Sequence, residues 1–300
     1  MSTLSHSQNF LHNPKLVKEL IEKSSITPHD VVYEIGPGKA IITSELARHS
    51  KLVIAIEADT NLYNEAKNRL QEFSNVNLQK GDFLEHRLPN NDFKIFSNIP
   101  FNITADIIRK ITDANTPPID SYLIVQKEAA TKFAGVPYGK ETLFSLTHKP
   151  WFVFSVVHHF KQNDFYPIPK VNIVLLRIEK LKKPLISADH TALYKDFLAY
   201  GFTSFKPTLK KGLSKIFGHV QFLRLADELK FTVSAKPTDL TSEQWLGMFN
   251  YFLIGVEPWR QKQVIGSLDN LNKQQAKLEK VNRTRTAKNW KRPRRNKHDF

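Results

Sequence analysis

Short apolar strands alternate with helical segments through the first half of this chain, and that alternation constrains the fold more than any other feature. Apolar runs at 31–35, 52–56 and 121–125 are typical of buried strands, whereas 41–49 and 60–73 have helical spacing. Further strands are predicted at 76–78 and 93–97, and a further helix at 105–111. Because parallel strands need a crossover connection, this order predicts an α/β fold with a parallel, doubly wound sheet.

The strand pattern ends near residue 183, and only helical patterns follow it. Residues 152–160 and 171–178 predict a final antiparallel pair, which is common at the end of such sheets. The helical patterns beyond them lie at 193–202, 208–217, 221–229 and 242–252. We therefore expect an α/β domain over residues 1–183 and a small all-α domain over residues 184–259.

Basic residues dominate the end of the chain. The whole chain has 44 Lys and Arg against 29 Asp and Glu, which gives a net charge of +15. Residues 282–300 hold eight Lys and Arg and one Asp, so seven of those charges lie there. Charge blocks of this kind are typical of disordered tails. Residues 260–300 are predicted to form a basic, disordered tail, apart from a helical pattern at 269–281. The excess also predicts a polyanionic partner, because neutralised phosphates release counterions.

The composition excludes several classes of protein. The chain has no cysteine, which excludes disulfides, thiolate metal sites and a cysteine nucleophile. No stretch approaches the roughly 20 apolar residues that a membrane span needs. The first residues lack the basic and apolar regions of a signal peptide. These features predict a cytoplasmic protein that does not bind membranes, and no metal site is expected.

Four successive strand ends carry residues that indicate a ligand site. The turn Gly36-Pro37-Gly38 follows the first strand, Glu57 ends the second, Asp82 follows the third and Asn98 the fourth. Ligands of open α/β sheets bind at the carboxyl ends of the strands, where glycines allow close backbone approach. An acidic residue at the position of Glu57 typically binds ribose hydroxyls, and Asp82 is placed to accept from an adenine amine.

Two cofactor classes fit that frame, dinucleotides and S-adenosylmethionine. Dinucleotide loops have the spacing Gly-x-Gly-x-x-Gly, but this chain has Ile41 at the sixth position. Glu34, just before the glycine turn, would repel a pyrophosphate and would suit a cationic sulfonium. The charge argument therefore favours S-adenosylmethionine.

The tetrapeptide Asn98-Ile99-Pro100-Phe101 has the groups of a clamp for an exocyclic amine. The Asn98 side chain and a neighbouring main-chain carbonyl can both accept from the amine. Pro100 removes a donor and fixes the turn, and Phe101 offers a face on which a base can stack. In isolation this sequence would be an ordinary strand-to-helix turn with a core phenylalanine. Its place beside the other three strand ends favours the clamp.

The chain resembles the erythromycin-resistance (Erm) ribosomal RNA adenine N6-methyltransferases, close relatives of the housekeeping small-subunit rRNA dimethyladenosine transferases, over about residues 7–255. The resemblance rests on Gln8-Asn9-Phe10-Leu11, Glu34-Ile35-Gly36-Pro37-Gly38-Lys39, Glu57, Gly81-Asp82, Asn98-Ile99-Pro100-Phe101 and Phe165-Tyr166-Pro167-Ile168-Pro169-Lys170-Val171-Asn172. Ile99 resembles the resistance branch, since the housekeeping branch usually has leucine there. Ala40 departs from the family pattern, which usually has glycine.

The resemblance implies a Rossmann-like S-adenosylmethionine-dependent methyltransferase with a small all-α C-terminal domain. Its implied cofactor contacts are Asn9, Leu11, Gly36, Glu57, Asp82 and Asn98. Phe101 would stack on a flipped adenine, and Phe165 would cover the other face of that base.

The implied function is methylation of adenine N6 in 23S rRNA by a monomeric enzyme, conferring macrolide-lincosamide-streptogramin B resistance. One alternative is the housekeeping 16S rRNA dimethyltransferase. Another is a non-catalytic RNA-binding factor, against which Asn98 and Phe101 argue. Four lysines in the helical domain form either an RNA-binding face or a solvated one: Lys206, Lys210, Lys211 and Lys215.

Overall fold

The computed structural model describes residues 9–203 and 207–277. The strands are β1 (Phe10–Leu11), β2 (Val31–Ile35), β3 (Leu52–Glu57), β4 (Val76–Lys80), β5 (Lys94–Asn98), β6 (Asp120–Gln126), β7 (Phe152–His159), β8 (Phe165–Tyr166) and β9 (Ile173–Lys180). The helices are α1 (Pro14–Glu22), α2 (Ile41–His49), α3 (Thr60–Arg69), α4 (Thr104–Thr112), α5 (Lys127–Ala134), α6 (Leu143–His148), α7 (Thr191–Thr203), α8 (Leu209–Gly212), α9 (His219–Glu228), α10 (Ser242–Gly255), α11 (Pro258–Gln261) and α12 (Ser267–Ala276).

Seven strands form the main sheet, in the order β4-β3-β2-β5-β6-β9-β7. Strands β2 to β6 pair in parallel, whereas β9 is antiparallel to both β6 and β7. The α/β fold with its antiparallel final strands is therefore confirmed.

Both faces of this sheet are buried, which explains why its strands are apolar almost throughout. In β5, Ile95 packs into one hydrophobic cluster and its neighbour Phe96 into the cluster on the other face, because successive side chains of a strand point to opposite sides. Both side chains are fully buried. Burial of each contributes roughly 1.5–3 kcal/mol to the free energy of unfolding.

The helical unit after β9 has its own aromatic core. Phe197 of α7 packs against Trp245, Phe249 and Phe252 of α10, with ring centroids 4.9 to 5.8 Å apart. The Trp245 indole nitrogen donates to the carbonyl of Pro237 at 3.1 Å, so the one polar atom of that buried ring is satisfied. The core shows that the amphipathic helices predicted there pack on one another.

The predicted tail begins too early. Val264 is buried, and α12 packs on α7, where the Asp196 carboxylate accepts from the main-chain nitrogens of Gly266 at 2.8 Å and Leu268 at 2.9 Å. The helix predicted at 269–281 is present as α12, Ser267–Ala276. The prediction of disorder is wrong for residues 262–268, since a carboxylate on another helix holds the start of α12. The basic run at 282–300 lies outside the described residues.

The predicted helix at 208–217 is also shorter in the structure. Helix α8 is Leu209–Gly212, and turns follow it. Helices α5 and α6, which lie between β6 and β7, were not predicted from the sequence. Leu146 of α6 packs into the core of the helical unit. Within the described ranges, no helix is both long and apolar enough to cross a membrane.

A short amino-terminal arm is fixed across the carboxyl edge of the sheet. Strand β1 pairs with β8 in antiparallel register, Phe10 opposite Tyr166 and Leu11 opposite Phe165. The Asn9 amide donates to the carbonyl of Pro167 at 2.6 Å. These bonds hold the arm, which the strand pattern did not predict, against the ends of β2 and β5.

Candidate functional site

The sheet order brings the four predicted strand ends together. Strands β4, β3, β2 and β5 are consecutive neighbours, so Asp82, Glu57, Gly36 and Asn98 follow one another along the same edge. Parallel pairing places all four at carboxyl ends, as the alternation of strands and helices predicts. This edge is the candidate functional site.

The two glycines of the turn differ in their surroundings: space is open beside Gly36, whereas the ring of Phe10 lies against Gly38. Gly36 has φ +66°, and a Cβ there would meet no atom within 4 Å. Gly38 has φ +53°, and a Cβ there would lie 2.7 Å from Cε1 of Phe10. Gly36 therefore leaves room for a ligand, whereas Gly38 leaves room for the ring of the arm.

A narrow pocket of about 30 Å³ lies between the arm, the glycine turn and the clamp. Its lining includes residues 9–11, Glu34, Gly36, Lys39 and residues 98–101. Predicted site residues from three separate parts of the sequence thus share one pocket.

The amide of Asn98 is oriented by the arm. Its nitrogen Nδ2 donates to the carbonyl of Asn9 at 2.7 Å, and only a donor satisfies that oxygen. The amide oxygen Oδ1 is then the atom of Asn98 left to accept from a ligand. A hydrogen-bond acceptor at the end of β5 is what the clamp requires.

The rest of the clamp has the predicted shape. Pro100 has φ −61° and ψ 126° and starts a short helical turn over Phe101–Ile103. Ile99 is 2% exposed and packs in the core, so only its main chain can serve the site. Phe101 is half-buried and lines the pocket.

Glu34 is a buried carboxylate with an unsatisfied oxygen. It is 1% exposed, and Oε2 has no hydrogen-bond partner among the described residues. Burial and the nearby charge of Glu57 raise the pKa of the Glu34 carboxyl and the neighbouring hydroxyl of Thr43 on α2 lowers it, which together give a pKa of about 8. The Thr43 hydroxyl is itself buried, and it lies outside full hydrogen-bonding geometry to any described group. Unpaired buried groups are rare, and at a pocket wall they suggest a ligand.

Glu57 supports the glycine turn. Its two carboxylate oxygens accept from the main-chain nitrogens of Gly38 at 3.0 Å and Asp59 at 2.9 Å. Burial raises the pKa of Glu57, and these two hydrogen bonds act against that rise. Its side chain is 2% exposed and does not line the pocket. A carboxylate has about four acceptor positions, so the main chain does not use all of them.

Asp82 and Phe165 do not line the pocket. Asp82 is exposed, and one of its oxygens accepts from the main chain of Leu84 at 2.8 Å. Phe165 is 1% exposed in the core and meets Phe160 edge to face at 5.2 Å. The prediction that Phe165 covers a flipped base is wrong here, because alternation in β8 turns Phe165 inward and Tyr166 outward.

Two pocket residues were missed by the sequence analysis. Phe10 lies over Gly38, and the Lys39 ammonium lies 5.6 Å from the centre of the Phe10 ring. Asn9 and Leu11 line the pocket as the family resemblance implies, while Gln8 lies outside the described residues. The strand that holds Phe10 is two residues long, so no hydrophobic periodicity could show that its ring lies over the glycine turn.

The residues present fit S-adenosylmethionine. The unpaired oxygen of Glu34 would be satisfied by a cationic ligand, and the open side of Gly36 allows close approach. A pyrophosphate in the same place would oppose ionisation of Glu34, whereas a sulfonium would lower its pKa and favour the carboxylate. The donor set therefore agrees with the cofactor that the sequence favours.

Comparison with known proteins gives one consistent family. A family model described as ribosomal RNA adenine dimethylase matches residues 3–253. An rRNA adenine N-6-methyltransferase of Limosilactobacillus reuteri is 31% identical over 83% of this chain and 96% of its own length. A ribosomal RNA small subunit methyltransferase A of Caldanaerobacter subterraneus is 28% identical over 82% of this chain and 96% of its own. The crystal structure of the 23S rRNA methyltransferase ErmE has a TM-score of 0.76 at 25% identity, covering 81% of this chain and 99% of that one.

Proposed function

Since the chain belongs to the ribosomal RNA adenine dimethylase family, we propose that it methylates N6 of an adenine in 23S rRNA and thereby confers macrolide-lincosamide-streptogramin B resistance. Membership makes it an S-adenosylmethionine-dependent rRNA adenine N6-methyltransferase. The choice of 23S rRNA and the resistance are the proposal.

Ile99 supports 23S rRNA over its alternative. The resistance branch that this chain resembles has isoleucine at this position, whereas the housekeeping branch usually has leucine. The extent of the likeness does not separate the two, since the ErmE structure covers 81% of the chain and a small-subunit relative 82%. The alternative is methylation of 16S rRNA, which the similar identity to small-subunit methyltransferases favours.

The observation that carries the proposed mechanism is the orientation of the Asn98 amide. S-adenosylmethionine supplies an electrophilic methyl carbon, so the protein must mainly position the adenine and present acceptors. The adenine N6 lone pair is delocalised into the ring. An acceptor at Asn98 Oδ1 would hold an N6 hydrogen and favour a pyramidal nitrogen whose lone pair points at the methyl group.

Phe101 supports the base once it has left its stack. Extruding a nucleotide costs a few kcal/mol, and stacking on an aromatic ring recovers about 1–3 kcal/mol of that. Phe101 lines the same pocket as Asn98, so one base can meet both. No general base is required before attack in this scheme.

We assign the cofactor to the Glu34 side of the pocket. Glu34 would face its positive charge, Gly36 its methionine part, and Asn9 and Leu11 would cover it from the arm. Glu57 would accept from the ribose hydroxyls at the acceptor positions that the main chain leaves free. Asp82, which is exposed at the next strand end, would accept from the adenine amine of the cofactor.

The helical unit offers a basic surface for RNA phosphates. Thr208, Lys210, Lys211 and Ser214 line a shallow groove there, and Lys215 is exposed nearby. In the described residues these three lysines form no ion pair with a carboxylate. Contacts of this kind position an RNA without reading its bases. Lys206 lies outside the described residues.

Parallel methylation of purified 23S and 16S rRNA, with mapping of the modified base, tests the proposal. We expect an N6-methylated adenine in 23S rRNA and none above background in 16S rRNA. Modification of 16S rRNA alone would overturn the proposed substrate and favour the housekeeping alternative. Expression in a sensitive bacterium should raise the inhibitory macrolide concentration, and the Asn98→Ala variant is the matched control. We expect the enzyme to act as a monomer, which sedimentation can check.

A further inference from the structure

A second cavity, of about 350 Å³, adjoins the cofactor pocket. It is lined by Phe10, Leu11, His12, Lys39 and Tyr166, and three of these also line the first pocket: Phe10, Leu11 and Lys39. Since Asn98 and Phe101 line only the first pocket, the second cavity lies outside the clamp. We name it the outer cleft.

Tyr166 is the most exposed aromatic side chain of the outer cleft. Its side chain is 69% exposed, although it stands opposite Phe10 in a paired strand. Its position is held by the pairing of β1 and β8 and by the hydrogen bond from Asn9 to the next residue, Pro167. A large ring kept in solvent by an ordered backbone is a ready stacking surface.

The charge of the outer cleft matches a nucleotide. The ammonium of Lys39 lies beside the cleft, 5.6 Å from the centre of the Phe10 ring. Within the described ranges Lys39 forms no ion pair with a carboxylate. His12 lies at the other side, where its Nε2 contacts the carbonyl of Asn163 at 2.8 Å. Aromatic faces with a free cation nearby are the usual means of holding an unpaired nucleotide.

We propose that Tyr166 stacks on the nucleotide next to the target adenine, with the Lys39 ammonium near its phosphate. This inference rests on the proposed function, because it assumes an RNA whose adenine enters the clamp. Enzymes that flip a base contact the neighbouring nucleotides as well, and those contacts set sequence context. The target adenine itself belongs to the inner pocket, since the outer cleft shares neither Asn98 nor Phe101.

The experiment uses the full chain and a series of short RNA stem-loops derived from whichever rRNA it methylates. Each RNA carries the fluorescent base 2-aminopurine at the target position, on its 5′ side or on its 3′ side. With wild-type protein we expect quenching at one flanking position. The variant Tyr166→Ala should lose that quenching and raise the KM for RNA about tenfold, while the affinity for S-adenosylmethionine is unchanged.

Two variants separate stacking from a structural role. Tyr166→Phe keeps the ring and should restore both quenching and KM to near the wild-type values. Ile168→Ala removes another exposed side chain of the same segment, 63% exposed, which does not line the cleft, and should change neither. Unchanged S-adenosylmethionine affinity in Tyr166→Ala checks that the fold is intact.

The inference is overturned if Tyr166→Ala leaves the flanking signal and KM unchanged, or if it alters the signal only at the target position. A failure of the proposed function looks different. It would show as methylation of 16S rRNA by the wild-type protein, after which the same probes are placed in the 16S stem-loop.

Discussion

A buried carboxyl group lies at each end of the main sheet, and the two groups differ in the hydrogen bonds that they accept. At the amino end, Asp120 is 3% exposed and accepts from Arg177 at 2.7 and 3.1 Å, from Ser25 at 2.6 Å and from Tyr122 at 3.1 Å. At the carboxyl end, Glu34 is just as buried, yet its Oε2 has no partner among the described residues.

The difference separates stability from function. A buried carboxylate with a full set of donors stabilises the structure, whereas an unpaired one is costly unless a ligand completes it. Lys94 repeats the first pattern, since its ammonium pairs with Asp30 at 2.8 Å near the amino end. Asp120 and Glu34 are equally buried, so burial does not show which of them is structural. Their hydrogen bonds do, because Asp120 has a full set of donors and Oε2 of Glu34 has none among the described residues.

The largest expected effect is on catalysis at the carboxyl end. Asn98→Ala should lower kcat by about 10²–10³-fold, or roughly 3–4 kcal/mol, because it removes the acceptor at the reacting nitrogen. The free energy of unfolding should change by under about 1 kcal/mol, since the one side-chain hydrogen bond that Asn98 makes within the described residues is that to Asn9. Single-turnover methylation and urea unfolding measure the two. Near wild-type turnover would remove Asn98 from the mechanism.

At the amino end the effect should fall on stability. Asp120→Asn leaves Arg177 without its buried partner and should cost about 2–3 kcal/mol, below the range for fully buried pairs because the Arg177 side chain is 27% exposed. The matched control is Glu179→Gln, which removes the more exposed partner of the same arginine and should cost under about 1 kcal/mol. Equal losses in the two variants would contradict this reading. Turnover by the folded fraction should not change.

The pH dependence of stability should report Glu34. Its carboxyl has a pKa of about 8 in the folded protein against 4.5 ordinarily, so the folded state holds a proton that the unfolded chain has lost. Stability therefore falls as the pH rises from about 4.5 to 8, by at most about 1.4 kcal/mol per unit. Glu34→Gln should reduce that slope, whereas Glu22→Gln, an exposed control, should keep it. An unchanged slope in Glu34→Gln would show that another group titrates.

The same carboxylate should bind a cationic ligand better once it ionises. We expect the ratio of affinities for S-adenosylmethionine and S-adenosylhomocysteine to rise with pH in the wild type, because only the first carries the sulfonium charge. Calorimetry at several pH values measures it, and Glu34→Gln should flatten the dependence. A flat ratio in the wild type would place the sulfonium away from Glu34.

The smallest effect is expected at Ala40. This residue is 1% exposed with φ +57°, a conformation that costs an L-residue about 1–2 kcal/mol. Ala40→Gly relieves that strain but loses a buried methyl and frees the unfolded chain, so the net change should be within about 0.5 kcal/mol. Lys230 has φ +58° at an exposed position, and Lys230→Gly should gain about 0.5–1 kcal/mol. Thermal unfolding of the two variants measures both changes. An equal gain in stability in Ala40→Gly and Lys230→Gly would show that the lost methyl of Ala40 does not offset the relief of strain.

The fold and its ligand edge could be predicted from the sequence because they follow from periodicity. Buried parallel strands are continuous apolar runs, and their carboxyl ends fall on one edge whatever the details of packing. Asn98 and Gly36 were identified in this way, and the structure brings both into one pocket.

What could not be predicted depends on partners distant in sequence. The two-residue strand β8 is too short for its alternation to show which of Phe165 and Tyr166 faces the core. The helical pattern at 269–281 predicts α12 but not its packing, because the carboxylate that holds its start belongs to Asp196, 70 and 72 positions away from the nitrogens that it binds. The unsatisfied oxygen of Glu34 is likewise a property of the assembled pocket, although its charge already suggested a cationic ligand.

Thermal unfolding with and without S-adenosylmethionine tests the contrast between the two ends most directly, with Glu34→Gln and Asp120→Asn compared at pH 8. We expect Glu34→Gln to raise the unfolding temperature of the free protein and to shrink the shift that the cofactor produces. Asp120→Asn should lower the unfolding temperature of the free protein and leave that shift unchanged. If instead Glu34→Gln lowers the unfolding temperature and leaves the cofactor shift intact, Glu34 is a structural residue and the contrast fails.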